Sequence, residues 1–178
     1  MKKISPQLTK KIKKVALAIF DVDGVLTDGR LYYSADGEQL KVFNTLDGHG
    51  LKMLAASGVT LAIISGRSSA ALAKRAKDLG IKHLVMGVAD KSAAYQALLT
   101  KLKLTTDAVA SIGDDIVDLP ILMHCAFSAA VPGAPKDVVT RVDYTTNAAG
   151  GEGAVREFCE VIMRIQGTYQ SALENYVD

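Results

Sequence analysis

Short apolar runs alternate with stretches of helical periodicity along this chain. Residues 15–20, 59–64, 83–86, 108–112 and 126–131 are rich in Val, Ile and Ala and nearly free of polar positions. That is the pattern of strands covered on both faces. Residues 50–56 read as a helix that stops at Gly58, and residues 68–79 begin on two serines able to cap and stop at Gly80. Residues 91–102 set Tyr95, Leu98, Leu99 and Leu102 at helical spacing, and Val155, Phe158, Ile162 and Ile165 form one apolar stripe. Strands that alternate with helices predict an α/β fold: a Rossmann-like parallel sheet with helices on both faces.

One segment breaks the alternation. Residues 29–43, GRLYYSADGEQLKVF, carry two β-rich runs around Asp36-Gly37, which predicts a β-hairpin inserted directly after the first strand. A lone hairpin is marginal in water, so this one is expected to pack on something.

Composition narrows the class. With 178 residues the chain is expected to be one domain over 1–178, including the hairpin at 29–43 and a tail at 167–178. At 49% hydrophobic it is far too apolar for a disordered chain. Two cysteines make no disulfide framework, which points to a reducing, cytoplasmic setting. The net charge of +2 hides an asymmetry. Residues 1–14 hold six lysines and no acid, so the other 15 basic residues face all 19 acidic ones, net −4. This basic start before the apolar run 15–20 imitates a secretion signal, but six apolar residues are short of the roughly 7–15 that such a signal needs. No run approaches the ~20 apolar residues of a membrane span, so no membrane partner is expected. The lysines lack aromatic interleaving, so no nucleic-acid partner is expected either, and they read as a solvated, partly frayed terminus.

The chemistry collects at the strand ends. In an open parallel sheet, ligands bind beyond the carboxyl ends of the strands. The first strand runs into Asp21-Val22-Asp23-Gly24 and the second into Ser65-Gly66-Arg67. Lys91 opens the helix after the third, and the fourth runs into Gly113-Asp114-Asp115 with Asp118 one turn on. Five carboxylates on one edge repel unless a cation neutralises them. An all-oxygen donor set points to a hard ion, Mg²⁺ before Ca²⁺, and His49, His83 and His124 have no metal-ligand spacing. Lys91 in the first turn of a helix opposes the helix dipole, which a bound anion would compensate. Asp28, Asp36, Asp47 and Asp90 read as turn or cap residues.

DVDGVLTDG at 21–29, IISGR at 63–67, Lys91 and GDDIVDLP at 113–120 resemble, in order, the four motifs of the haloacid dehalogenase-like superfamily of phosphotransferases. More narrowly, the hairpin, FNTLDGHGLK at 43–52 and GGEGAVREFCE at 150–160 resemble the family of 3-deoxy-D-manno-octulosonate 8-phosphate phosphatases. The likeness runs from about residue 15 to residue 166, with Glu152 standing where many relatives carry a basic or neutral residue. The resemblance implies Asp21 as nucleophile, with an aspartyl-phosphate intermediate. It implies Asp23 as the acid that protonates the leaving alcohol and then the base that activates water. Ser65 and Lys91 would hold phosphoryl oxygens. Mg²⁺ would sit on Asp21, the Asp23 backbone carbonyl and Asp114, with Asp115 and Asp118 in support behind them. Substrate contacts would come from Asp23, Asn44, Thr45, Leu46, Asp47, Gly48, Lys52, Arg67, Arg75 and Lys91. The alternatives are a phosphatase of a related sugar acid or of sugar phosphates broadly, and a receiver-like phosphoacceptor, against which the second aspartate of the Asp-x-Asp pair argues.

About 40 residues separate Gly24 from Ser65 and about 25 separate Gly66 from Lys91. Hairpin, helix and connections use these up, so no separate cap domain fits. An acyl-phosphate site still needs cover from water, and the apolar hairpin is the expected contact with a neighbouring subunit. The resemblance implies a homotetramer built around these hairpins, with the C-terminal tail near an adjoining site.

Overall fold

The computed structural model describes residues 4–177. Its elements run α1 (Pro6–Ile12), β1 (Leu17–Phe20), β2 (Tyr32–Ser34), β3 (Gly37–Leu40), α2 (Thr45–Ala56), β4 (Thr60–Ile64), α3 (Ala70–Asp78), β5 (His83–Val85), α4 (Lys91–Leu102), β6 (Val109–Gly113), α5 (Leu119–Leu122), β7 (Phe127–Ala130), α6 (Lys136–Val139), β8 (Tyr144–Thr145), α7 (Ala154–Gln166) and α8 (Tyr169–Glu174). Six strands form one parallel sheet in the order β5-β4-β1-β6-β7-β8, and β2 and β3 form a separate antiparallel pair.

Strand β1 lies at the centre, with Phe20 beside Ile63 of β4 and Ile112 of β6. Its side chains alternate between two cores. Ala18 and Phe20 join Leu51 and Leu54 of α2, Leu72 of α3 and Phe158 of α7. Leu17 and Ile19 meet Tyr95, Leu98 and Leu99 of α4. Phe158 stacks on Phe127 at 5.3 Å and meets Phe20 edge-on at 5.8 Å, so the predicted stripe on α7 anchors the first face.

The parallel sheet, the helices on both faces and the hairpin after the first strand are as expected. Three local readings need correction. The start of the chain is ordered from residue 4 onward: α1 is capped by Ser5, whose hydroxyl accepts from Leu8 N, and Ile12 is fully buried. Gln166 fastens its end by donating to the carbonyls of Ile12 and Val15. Lys10 and Lys11 lie in its last turn, where cations suit the dipole, whereas Lys2 and Lys3 lie outside the described residues. Helix α2 begins five residues before the predicted start, at Thr45, with Asn44 as its cap. His49 is therefore helical. Gly48 and Gly50 hid this helix, since glycine weakens one. They are there for packing: a Cβ at Gly48 would stand 2.2 Å from Arg75 Nη2, and one at Gly50 2.9 Å from Arg156 Cδ. Asp47 does act as a cap, but of a helix distant in sequence and not of its own turn. It is 1% exposed and accepts from the backbone N–H of Arg156 and Gly153, closing the start of α7. Asp28 and Asp90 do serve as predicted, bonding Arg30 N and Ala93 N.

Candidate active site

The sheet ladder delivers the first carboxylate. Asp21 N donates to Ile112 O, which extends the β1–β6 pairing by one residue and leaves the Asp21 side chain at the strand end. The chain then turns tightly, with the N–H groups of Val25, Leu26 and Thr27 all directed at Val22 O. Gly24 occupies this turn at φ +89°, and a Cβ there would stand 2.1 Å from Asp114 Oδ2. Only glycine lets the first loop come this close to the Asp114 carboxylate.

Lys91 begins α4 and is buried. Its ammonium donates to Asp21 Oδ1 at 2.6 Å and to Asp118 Oδ1 at 2.5 Å. The other oxygen of Asp118 accepts from the backbone N–H of Asp114 and Asp115 at 3.1 and 3.2 Å. Asp115 caps the short turn Ile116–Asp118 through Ile116 N. Asp118 thus holds both Lys91 and the loop that carries Asp114.

The carboxylates of Asp21, Asp114 and Asp118 each offer an oxygen within 4.8 Å of the others. Burial raises the Asp21 carboxyl to about 6; the Asp118 charge adds to the rise and Lys91 opposes it. Burial, then the charges of Asp21 and Asp118, push Asp114 up to about 8. Burial alone would lower Lys91, but Asp21 and Asp118 outweigh it and hold its ammonium above the ordinary lysine value. A single lysine does not balance this much negative charge. The donors are all carboxylate oxygens, so the cluster fits a hard divalent cation. Because both oxygens of Asp118 already accept hydrogen bonds, Asp21 and Asp114 are the carboxylates left to hold it.

A cavity of about 320 Å³ opens over these groups. It is lined by Asp21, Asp23, Ser65, Arg67, Lys91, Asp114 and Asp115, with Gly29, Gly66, Val88, Ala89 and Val117. Ser65 is buried, its N–H on Val85 O and its hydroxyl accepting from Arg67 N. The structure therefore brings together every residue assigned to phosphate chemistry. Other assigned residues lie outside this cavity within one chain. Thr45 and Leu46 are exposed on the first turn of α2, and Lys52 is exposed further along it. Asn44 donates to Gly151 O. Arg75 donates to Asn44 O and lies over the Phe43 ring. Asp47 and Gly48 are engaged in helix packing and do not line this cavity.

The hairpin supplies residues that sequence reasoning missed. Lys41 is buried, and its ammonium donates to Asp23 Oδ1 and lies 3.4 Å from Glu38 Oε2. Arg67 Nη2 donates to Tyr33 Oη and to Glu38 Oε2, and Arg67 Nε stands 3.8 Å from Asp23 Oδ2. The alternating pattern of a hairpin tells which side chains share a face but not what that face meets.

Comparison with known proteins agrees with this geometry. The profile of the haloacid dehalogenase-like hydrolases matches residues 84–158. The chain is 41% identical over 169 residues to the 3-deoxy-D-manno-octulosonate 8-phosphate phosphatase of Salmonella typhimurium, covering 95% of this chain and 90% of the relative. The crystal structure of the phosphatase of that name from Moraxella catarrhalis, in complex with magnesium, phosphate and a KDO molecule, matches with a TM-score of 0.92. It is 40% identical, over 95% of this chain and 97% of that one. The structure of a probable YrbI family phosphatase from Pseudomonas syringae matches with a TM-score of 0.95 at 50% identity, over 98% of this chain and 99% of that one.

Proposed function

The chain belongs to the family of 3-deoxy-D-manno-octulosonate 8-phosphate phosphatases, within the haloacid dehalogenase-like hydrolases, and from that premise we propose how its own residues carry the reaction. The enzyme is a phosphoric monoester hydrolase that converts 3-deoxy-D-manno-octulosonate 8-phosphate to the free sugar acid and inorganic phosphate. The observation that carries this reading is the cavity in which Asp21, Asp23, Ser65, Lys91 and Asp114 converge.

Lys91 holds the Asp21 carboxylate through one oxygen, which leaves the other to attack phosphorus in line with the leaving oxygen. As the bond from Asp21 to phosphorus forms and the ester P–O bond breaks, Asp23 gives its proton to the departing alcohol. Asp23 then takes a proton from water, whose oxygen attacks the aspartyl-phosphate and releases phosphate and the Asp21 carboxylate. The Ser65 hydroxyl and the Lys91 ammonium hold the oxygens that do not react. Mg²⁺, held by the Asp21 and Asp114 carboxylates with the Asp23 backbone carbonyl, supplies the positive charge that lets two anions meet. Asp115 and Asp118 keep Asp114 and Lys91 in place.

Arg67, in the cavity wall, suits the carboxylate of the sugar acid. Asn44, Thr45, Leu46, Asp47, Gly48, Lys52 and Arg75 do not line the cavity of their own chain, and our reading is that they reach the substrate of a neighbouring copy. A homotetramer joined through the hairpins meets that requirement, because Leu31, Tyr32, Tyr33, Leu40 and Val42 are all exposed. No helix among the described residues is long and apolar enough to cross a membrane. Cys125 and Cys159 are free thiols, in keeping with a cytoplasmic enzyme.

The test is phosphate release from a panel of esters with and without Mg²⁺. The octulosonate ester is expected to be hydrolysed at least about tenfold faster than hexose phosphates, a gap of about 1.4 kcal/mol, and chelation is expected to stop turnover. Equal rates across the panel would overturn the specific assignment.

A further inference from the structure

Among the described residues, Lys41 and Lys91 are the two buried lysines. Lys91 belongs to the phosphate site. Lys41 does not, since it stands on the segment that leaves the hairpin and is absent from the cavity wall. Its side chain is 2% exposed, and burying an ammonium is costly unless it is paired. Its partners are two acids, Asp23 and Glu38. The contact with Asp23 uses Oδ1 alone. The second oxygen, Oδ2, stands on the side of Arg67, which lines the cavity. Glu38 also receives Arg67, so two cations and two anions join the hairpin to the strand ends of β1 and β4.

We propose that Lys41 is a positioning residue for Asp23: it pins one carboxylate oxygen from behind so that the other faces the cavity, where the leaving oxygen and then the attacking water must be met. This inference rests on the reading of Asp23 as proton donor and acceptor. A carboxylate on a two-bond side chain has several rotamers, and proton transfer needs one oxygen within hydrogen-bond reach of the reacting atom. The hairpin would then have a task within its own chain, apart from any contact between copies. Lys41 itself touches neither substrate nor phosphorus.

The test compares the unmodified enzyme with Lys41→Met, Asp23→Asn and the double variant, on the octulosonate ester and on p-nitrophenyl phosphate. Lys41→Met is expected to lower kcat on the sugar ester by about 10–100-fold, with KM within about threefold, since misplacing a proton-transfer group forfeits part of its ~10²–10⁴-fold effect. First-turnover release of p-nitrophenolate is expected to fall less than about threefold, because that leaving group departs without a proton. In the Asp23→Asn background, Lys41→Met is expected to change kcat by less than about twofold, for nothing is left to position. Lys41→Arg, which keeps the charge, is expected to recover most of the loss. Equal losses on both esters, or losses that multiply in the double variant, would show Lys41 to be merely structural and overturn the inference. If Lys41→Met does not fold, as judged by circular dichroism, Lys41→Gln supplies the same comparison. The unmodified chain controls for the substrate: its failure on the sugar ester overturns that reading, whereas a Lys41→Met enzyme as fast as the parent overturns this inference alone.

Discussion

Asp21 has one oxygen on Lys91 and one left for chemistry, and replacing that second oxygen is the most direct probe of the site. Asp21→Asn is expected to lower kcat by more than about 10³-fold, as loss of a covalent nucleophile does, with the fold kept by circular dichroism. Residual activity near the parent level would remove the covalent route. The two raised carboxyls make a second prediction. Asp21 at about 6 and Asp114 at about 8 are both above the ordinary aspartate value in the ion-free protein. Folding therefore favours their protonated forms. That stability is complete below about pH 4, near the ordinary aspartate pKa, and is lost as pH rises through about 6 and then about 8. A bound divalent cation removes the penalty. The rise in Tm on adding saturating Mg²⁺ to chelated protein is thus expected to be larger at pH 9 than at pH 5, and equal rises would contradict it. At this scale the sequence was most legible, because Asp21, Ser65, Lys91 and Asp114 each stand where a strand ends or a helix begins. Lys41 was not legible, since its meaning depends on where the hairpin folds back.

The sheet strands could be read as apolar runs and the amphipathic helices from their period, and the elements that were missed are short ones. Strand β8 has two residues, and α5 and α6 have four each, too few to show a period. Helix α2 was truncated in the reading by glycines whose purpose is contact with α3 and α7. The junction of α2 with α7 carries its own test. Asp47 is buried and closes the first turn of α7, so Asp47→Ala leaves two N–H groups without a partner. It is expected to lower unfolding stability by about 1–2 kcal/mol, the usual worth of a helix cap. Urea denaturation with an unchanged m-value would record this. A variant as stable as the parent but with a raised KM would assign Asp47 to the substrate and not to the cap.

At the scale of the whole molecule, the exposed hairpin is the feature one chain leaves unresolved. Leu31 and Val42 are 44% and 53% exposed beside an active site that has no cap domain. Leu31→Glu together with Val42→Glu is expected to dissociate the proposed tetramer in sedimentation velocity at micromolar concentration. A parent chain that sediments as a monomer would refute the assembly.

The placement of β1 between β4 and β6 has a consequence for how the chain folds. Leu17 pairs with Val109, and Asp21 with Asp114 spans 93 residues of sequence. Pairings this distant form slowly, because loop closure comes before any reward. The two carboxylates that would share an ion therefore meet only when β6 docks, after most of the sheet's left half can already exist. An ion that needs both cannot guide the search. Added Mg²⁺ is expected to slow unfolding in proportion to its stabilisation and to leave the refolding rate unchanged, the signature of contacts absent from the transition state. Stopped-flow refolding with and without the ion would settle the order, and an accelerated refolding limb would mean that the acidic cluster forms early.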